Sequence, residues 1–490
     1  MSCKSIVLRL AAPCLVAGLT LAPAFADTPA PQPNKGDTAW MLIATALVLM
    51  MSVPGLALFY GGLVRAKNML SVLTQVFAIV CLAGLMWVAV GYSLAFTNGG
   101  ALNDFVGGFG KAFMAGITPA SNAATFSNGV VIPEYLYLAF QMTFAMITPA
   151  LIVGAFAERM RFGAVMAFTA LWSLLVYYPI AHMVWYWAGP DALADAAKAV
   201  AAATDAVAKT AAQAKLDEAV ADAGMIFKWG ALDFAGGTVV HINAGIAGLV
   251  GCLMVGKRIG YGRELMAPHS LVMTMIGAAL LWVGWFGFNA GSSLEANGTA
   301  VLAFVNTMVA TCAAALAWLI VEWLLKGKPS LLGMVSGAVA GLVAVTPASG
   351  FAGPMGAIVL GFVSGAACFI FVAYVKGALG YDDSLDVFGI HCIGGILGAI
   401  ATGILASPDL GGAGIVDYVA KPGEAAPGDF VMATQLMAQL KAVAVTLLWS
   451  GLVSMILFKL IDLAIGLRAE SDDERMGLDI AEHGERAYSA

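Results

Sequence analysis

Polar positions in this chain are grouped, and between the groups run continuous apolar stretches of the length a helix needs to cross a bilayer, roughly 20 residues. Eleven spans are predicted, at 40–64, 69–97, 132–156, 163–187, 232–255, 267–290, 299–325, 331–347, 352–375, 384–406 and 430–465. The longest polar pieces lie at 98–131, 188–231, 407–429 and after Gly466. Within the second of these, Asp191 to Ala223 is rich in alanine with interspersed Asp, Lys and Glu, a composition that forms helix readily but offers little apolar stripe. It predicts a helix or helical hairpin outside the membrane. Ahead of the first span, residues 1–26 carry Lys4 and Arg9, an uncharged stretch from Leu10 interrupted by Pro13, and Ala24-Phe25-Ala26 before Asp27. A short apolar core, a proline and a small-x-small end predict a cleaved signal peptide in preference to a further membrane helix.

Composition agrees with this pattern. Of 490 residues, 61% are hydrophobic and 11% charged, and the mean hydropathy is +0.88; soluble domains carry about 25% charged residues. That excludes a water-soluble enzyme. The net charge of −6 without a basic block excludes a nucleic-acid surface. Cys81, Cys252, Cys312, Cys368 and Cys392 fall inside apolar runs, and no CxxC or CxxCH spacing occurs, so no zinc, iron–sulfur or c-type haem cofactor is expected. With the first span directed inward, 14 Lys and Arg fall on inner segments and 8 on outer ones, four of the 8 in the long loop that weighs little in orientation. The expected organisation is a signal peptide (1–26), an eleven-helix domain (27–466) with an Ala-rich outer insert at 188–228, and an inner tail (467–490). Glycines four apart, as at Gly333, Gly337 and Gly341 or Gly361 and Gly365, predict close helix packing in lipid.

Two of the five histidines lie deep in spans, in matching surroundings. His241 opens His241-Ile242-Asn243-Ala244-Gly245-Ile246-Ala247-Gly248, and His391 opens His391-Cys392-Ile393-Gly394-Gly395-Ile396-Leu397-Gly398. Both read His-x-x-small-Gly-Ile-x-Gly. The first copy is in the fifth span and the second in the tenth, an odd offset, so the copies enter from opposite faces, as in an inverted repeat with a shared midplane site. At 1.5 Å per residue the two rings lie roughly 14 and 11 Å into a core near 30 Å thick. A buried imidazole needs a partner, and another imidazole can serve, one nitrogen donating and the other accepting. Two competing readings stand beside this pair: separate core histidines, each bonded to a carbonyl or hydroxyl, and bis-histidine haem ligation. The second lacks a further intramembrane pair, since His182 lies near an outer end and His269 near an inner one.

Gly, Ile, Val and Phe surround these histidines, and no intramembrane Lys or Arg lies beside them. A permanent cation such as K⁺ would lose its water there with little in return. A cation able to shed a proton escapes that cost, and imidazole exchanges protons near neutral pH.

Three longer motifs carry a family resemblance: Asp233-Phe234-Ala235-Gly236-Gly237-Thr238-Val239-Val240-His241 through Gly248, Gly284-Trp285-Phe286-Gly287-Phe288-Asn289-Ala290-Gly291-Ser292, and Asp386-Val387-Phe388-Gly389-Ile390-His391. With Gly154-Ala155-Phe156-Ala157-Glu158-Arg159, they resemble the signatures of the Amt/Rh ammonium transporters, on the bacterial Amt side. The resemblance implies an all-α polytopic membrane protein of eleven transmembrane helices, two inverted five-helix repeats plus a final long helix, assembled as a homotrimer in the cell inner membrane. It implies His241 and His391 as twin pore histidines and Phe144 and Phe288 as a stacked phenyl gate. Trp185 and Ser292 would line the outer vestibule that recruits ammonium, with Asp233 as the acid that shapes it. On residue chemistry alone, Trp185 reads as interfacial belt, the two phenylalanines as core, and Asp233 as a helix cap. Glu158 reads as an ion-paired helix end beside Arg159 and Arg161. The tail, with Gly466-Leu467-Arg468 and Gly477-Leu478-Asp479, resembles the part of bacterial relatives that docks P-II signalling proteins, although its composition alone is that of a charged solvated segment. Ammonium or ammonia, with methylammonium as an analogue, is the implied cargo, moved without catalysis of a reaction. A sensor of ammonium acting through the tail is the alternative. The family usually joins the fourth and fifth spans by a short loop, whereas here about forty residues separate Trp185 from Asp233.

Overall fold

Hydrophobic segments of this length bury their backbone polar groups only by closing every hydrogen bond internally, and in lipid that selects helices. The computed structural model describes residues 31–420 and 426–488; the signal peptide expected at 1–26 lies outside the described residues. Among the described residues, ten helices are long and apolar enough to cross a membrane: Lys35–Leu63, Ala66–Phe96, Glu134–Phe156, Phe162–Trp185, Gly237–Val255, Leu271–Gly291, Gly298–Lys326, Pro354–Leu379, Phe388–Leu405 and Met432–Ile465. Leu331–Val345 is a shorter apolar helix of 15 residues.

Glycine sets the closest approaches. A Cβ placed on Gly337 would fall 2.8 Å from the carbonyl oxygen of Ala314, and one on Gly341 2.7 Å from that of Ala310. From the other side, Cβ atoms on Gly361 and Gly365 would fall 2.2 Å and 2.3 Å from the same two carbonyl oxygens. Two glycine stripes thus clasp the Gly298–Lys326 helix backbone to backbone, the mode of packing that substitutes in lipid for a hydrophobic driving force.

Two helices start later than their apolar runs predict. The runs begin at 232 and 384, but helix begins at Gly237 and Phe388. Gly236 (φ 115°) and Asp386 (φ 63°) are both left-handed, which breaks a right-handed helix just before each start. The two histidines consequently sit in the first turn of their helices, with non-helical chain leading up to them, so the depth worked out from unbroken helical rise does not apply.

The Ala-rich segment forms two helices, Pro190–Ala202 and Ala206–Ala221, the second capped by Asp205 on the Ala208 amide at 2.8 Å. Its return is fastened to the bundle. The Asp222 carboxylate accepts from Asn98, Asn103 and Tyr186 at 2.6, 3.0 and 2.9 Å, Trp187 pairs with Ala223, and the Gly224 amide donates to the Tyr186 carbonyl.

Composition suggested a solvated tail; the structure has it docked. Short helices Ser471–Met476 and Leu478–His483 fold back on the segment around Lys67. Asn68 accepts from the Leu478 amide and Asp479 from the Ser71 amide, while Glu474, 1% exposed, pairs with Arg468 and takes the Ile259 amide. Glu474 and Asp479 are thus spent on buried backbone amides and on Arg468, whereas Asp472, Arg475, Glu485 and Arg486 stay exposed.

Candidate functional site

Each deep histidine occupies a π-helical turn at the head of its helix, His241 in Gly237–Ile242 and His391 in Phe388–Cys392. Such widened turns recur at functional positions because they re-aim a side chain. The two segments cross where they are smallest: a Cβ on Gly245 would lie 2.4 Å from the Cys392 nitrogen, and one on Gly395 3.2 Å from the His241 Cβ. At that crossing the imidazoles meet, Nδ1 to Nδ1 at 3.3 Å, with ring centroids 5.4 Å apart and planes tilted by 24°. Only one of the two nitrogens can carry the shared proton, so the pair is asymmetric at any instant and symmetric on exchange. The His241 Nε2 is buried without a partner.

Around the rings Met51, Phe59, Ile147, Leu281 and Val339 contribute apolar walls from three other spans and from the Leu331–Val345 helix. The cavity they line with both histidines is narrow and apolar. Trp285 covers His241 at 5.5 Å, its indole N–H held by the Thr346 hydroxyl at 2.9 Å.

The remaining predicted residues continue from this point in one direction. Phe288 lies 6.0 Å from His241, and Phe144 packs on Phe288 at 4.3 Å with both rings buried. Trp185 meets Phe144 edge-on at 5.8 Å and donates its indole N–H to the Asp233 carbonyl at 3.0 Å. The Ser292 hydroxyl donates to the Phe288 carbonyl at 2.8 Å, which leaves its oxygen able to accept from a visitor. The Asp233 carboxylate takes the amides of Gly236, Gly237, Thr238 and Val239 and the Thr238 hydroxyl, so it caps the His241 helix and has nothing left over for an ion. All seven residues therefore form one contiguous series, and the forty-residue insert leaves the Trp185 wall attached to Asp233.

At the opposite end of the bundle Glu158 is ion-paired, but with Arg65 (2.7 Å) and Arg258 (3.2 Å) and not with its neighbours Arg159 and Arg161. Its left-handed backbone (φ 75°) turns the carboxylate inward, where chain-adjacent arginines cannot follow. Arg159 instead donates to the carbonyls of Gly256 and Asp382 and to the Ser384 hydroxyl, and Arg161 pairs with Glu470. Burial pushes the Glu158 carboxyl up, but the Arg65 hydrogen bond and the charges of Arg258 and Arg65 outweigh it and hold it below the usual range. Asp382 behaves in the same way against Arg258 and Arg159.

Sequence reasoning passed over Asp383 in favour of Asp386. Asp386 pairs with Lys376. Asp383 is 1% exposed, accepts the Phe388 amide on Oδ2 at 2.7 Å, and its Oδ1 is bonded to nothing. A signal was available: Asp383 precedes His391 by the same eight positions that separate Asp233 from His241.

Residues 39–488 match the profile of the Ammonium Transporter Family. An ammonium transporter of Bacillus subtilis is 42% identical over 93% of this chain and 99% of its own length. Ammonium transporter Amt1 of Archaeoglobus fulgidus is 39% identical over 93% and 100%. Among solved structures, Candida albicans Mep2 superposes with a TM-score of 0.74 at 31% identity, covering 93% of this chain and 91% of Mep2; a structure described as a sensor Amt protein does so with 0.74 at 25%, covering 91% and 98%. A helical membrane bundle whose sequence matches over nearly its full length places this chain among ammonium transporters: it belongs to the Ammonium Transporter Family.

Proposed function

We propose that the chain recruits NH₄⁺ at an outer vestibule formed by Trp185, Ser292 and the Asp233 segment, removes its proton, and passes ammonia between Phe144 and Phe288 and along His241 and His391 to the cytoplasm. The observation that carries this reading is the imidazole pair set in a narrow, apolar cavity. A Trp face attracts a small cation by about 0.5 to 2 kcal/mol, enough to gather ammonium without trapping it. The apolar walls charge K⁺ its full dehydration cost, whereas ammonium sheds a proton and enters as a neutral molecule of water's size. Selectivity then follows from acidity, not from radius. The histidines carry the proton from one nitrogen to the next.

The same reading takes the two histidine segments as corresponding parts of inverted repeats, sets the protein in the inner membrane as a trimer with one pore per subunit, and puts the amino-terminal end outside after removal of a signal peptide. The docked tail and adjoining loops form the inner face at which a P-II signalling protein would bind. A sensor role is favoured only by the likeness to the sensor Amt structure; the relatives at 42% identity are transporters.

Reconstituted protein in liposomes, given ammonium and then potassium gradients across pH 5 to 8, tests the reading. Ammonium-driven flux without potassium current is expected. A protein that passes both ions equally, or neither, overturns it.

A further inference from the structure

The chain just ahead of Asp233 is irregular and packed into the bundle, so its backbone groups need partners that no helix or strand supplies. A side chain supplies them. Gln439, on the Met432–Ile465 helix and 1% exposed, accepts the Leu232 amide on Oε1 at 2.6 Å and donates through Nε2 to the Leu232 carbonyl at 2.8 Å. One primary amide thus makes with Leu232 the pair of bonds that the peptide of an antiparallel neighbour would make. The second Nε2 hydrogen goes to the Ala399 carbonyl at 2.7 Å, about two turns past His391 on the Phe388–Leu405 helix. Only this orientation of the amide serves all three, since a flipped one would set its oxygen against two carbonyls.

Room for this amide is kept open by a glycine. A Cβ on Gly403 would lie 3.0 Å from the Gln439 Cγ, so the Phe388–Leu405 helix is bare where the side chain passes. Gln435, one turn earlier, donates to the Gly230 carbonyl at 2.7 Å and extends the attachment by two residues. Directly after Leu232 come the groups that shape the outer wall. The Asp233 carbonyl takes the Trp185 indole N–H at 3.0 Å, the Asp233 carboxylate caps the His241 helix, and the Phe234 amide donates to the Pro347 carbonyl at 3.2 Å. The carbonyl that holds the Trp185 ring therefore belongs to the residue next to the one that Gln439 grips on both sides.

We propose that Gln439 is a positioning residue for ammonium recruitment: by tying Leu232 to the His391 helix it sets where the Asp233 carbonyl stands, and so how the Trp185 face meets the arriving cation. This rests on the transport reading above. With the amide in place the Trp185 wall and the His391 helix are fastened to one another. Without it Leu232 loses the partners of both its backbone groups, and the acceptor of the indole N–H can shift. The attraction of a cation to a ring depends on its place over the face, so the loss falls on recruitment and leaves passage along the imidazoles as it was.

Initial ammonium uptake into liposomes is to be measured against ammonium concentration for the wild type, Gln439→Met, Gln439→Glu, Trp185→Leu and the double variant Trp185→Leu/Gln439→Met. Methionine fills the space without hydrogen bonds, whereas glutamate keeps an acceptor for the Leu232 amide and serves at most one of the two carbonyls. In Gln439→Met the half-saturating concentration is expected to rise by about three- to tenfold, within what a Trp face contributes to holding a small cation. Maximal uptake should stay within about twofold of the wild type, the pattern of lost uniform binding. Gln439→Glu should fall between the two. In the Trp185→Leu background the same methionine should add little, because residues that act through one another are not additive. A half-saturation unmoved by Gln439→Met overturns the assignment, as does a rise of the same size with Trp185 already gone, or a fall in maximal uptake alone. Should Gln439→Met not assemble, Gln439→Glu is measured in both backgrounds by the same criteria, and failure of both to assemble makes Gln439 a folding residue and overturns the assignment too. A wild type without saturable ammonium uptake instead refutes the transport reading beneath it.

Discussion

The stretches 233–248 and 383–398 repeat one backbone plan with different chemistry. In each, an aspartate caps the helix, a left-handed residue stands three positions later, a π-helical turn presents a histidine, and a glycine four positions beyond it meets the other copy. The differences lie in what surrounds the acid. Where the first copy has Gly236 and Thr238, the second has Asp386 and Phe388. Thr238 adds a hydroxyl donor to its aspartate, whereas Phe388 offers only an amide and Asp386 adds a second negative charge, paired with Lys376. The geometry that delivers two imidazoles to one point is duplicated. The electrostatics are not, so one end is made rigid and the other is left able to titrate.

The largest effect that tests this comparison should come from the part the copies share. His241→Leu and His391→Leu each remove half of the 3.3 Å contact, and each is expected to lower ammonium flux at least tenfold or to admit potassium. Because neither ring can be exchanged for the other once its partner is gone, the double variant should be no worse than the worse single one, as expected for groups acting as a unit. Selective, undiminished transport by either single variant would show that the imidazoles do not work as a pair.

Next in size is the stability of the caps. Asp233→Ala strips four amides and a hydroxyl of their acceptor, and should lower the melting temperature of the detergent-solubilised protein by the equivalent of about 2 kcal/mol, the upper end for a lost helix cap. Asp383→Ala removes one strong amide bond and relieves a buried charge, so its loss should be well under half of that. Equal losses would erase the distinction between the two caps.

Acidity separates the two kinds of carboxylate at the end that carries Glu158. Asp383 binds a proton more tightly folded than unfolded, since burial and Asp386 raise it to about 6; its contribution to stability therefore increases as pH falls from 7 to 5. Glu158 and Asp382 are held below the usual range by their arginines, and their contribution is present above the unfolded value and lost as pH falls through the lowered one. Relative to Asp383→Asn, the wild type should gain melting temperature from pH 7 to 5, and both should drop below about 4, where carboxylates ordinarily titrate. A difference between the two that does not change between pH 7 and 5 would assign no titration to Asp383.

What was legible in the sequence was whatever depends on local hydropathy or on spacing. Apolar runs marked the spans because lipid imposes a length, and the His-x-x-small-Gly-Ile-x-Gly echo marked the ring pair because two segments that cross must be small at the crossing. Helix starts at Gly237 and Phe388 were not legible, since a left-handed residue inside an apolar run leaves the hydropathy unchanged. Glu158 was assigned its chain neighbours, whereas the turn that aims it selects Arg65 and Arg258. The tail looked solvated because the acceptors and donors it satisfies, at Asn68, Ser71 and Ile259, lie hundreds of residues away. Asp383 was hidden among three aspartates within five positions, and only the offset of 150 that relates the histidines singles it out.

The smallest effect belongs to the insert, which only the copy containing Asp233 carries on its approach. Its second helix is almost wholly exposed, with Val207 81% accessible, so Val207→Asp should leave both flux and melting temperature unchanged. Asp222 differs, because one carboxylate holds Asn98, Asn103 and the Tyr186 hydroxyl together, and Tyr186 follows Trp185 directly. Asp222→Ala should loosen the Trp185 wall without touching the rings below it. Half-saturation for ammonium is then expected to rise two- to fivefold, while the maximal flux and the exclusion of potassium stay as they were. A variant that admits potassium would mean that discrimination begins at the vestibule, before any proton is removed.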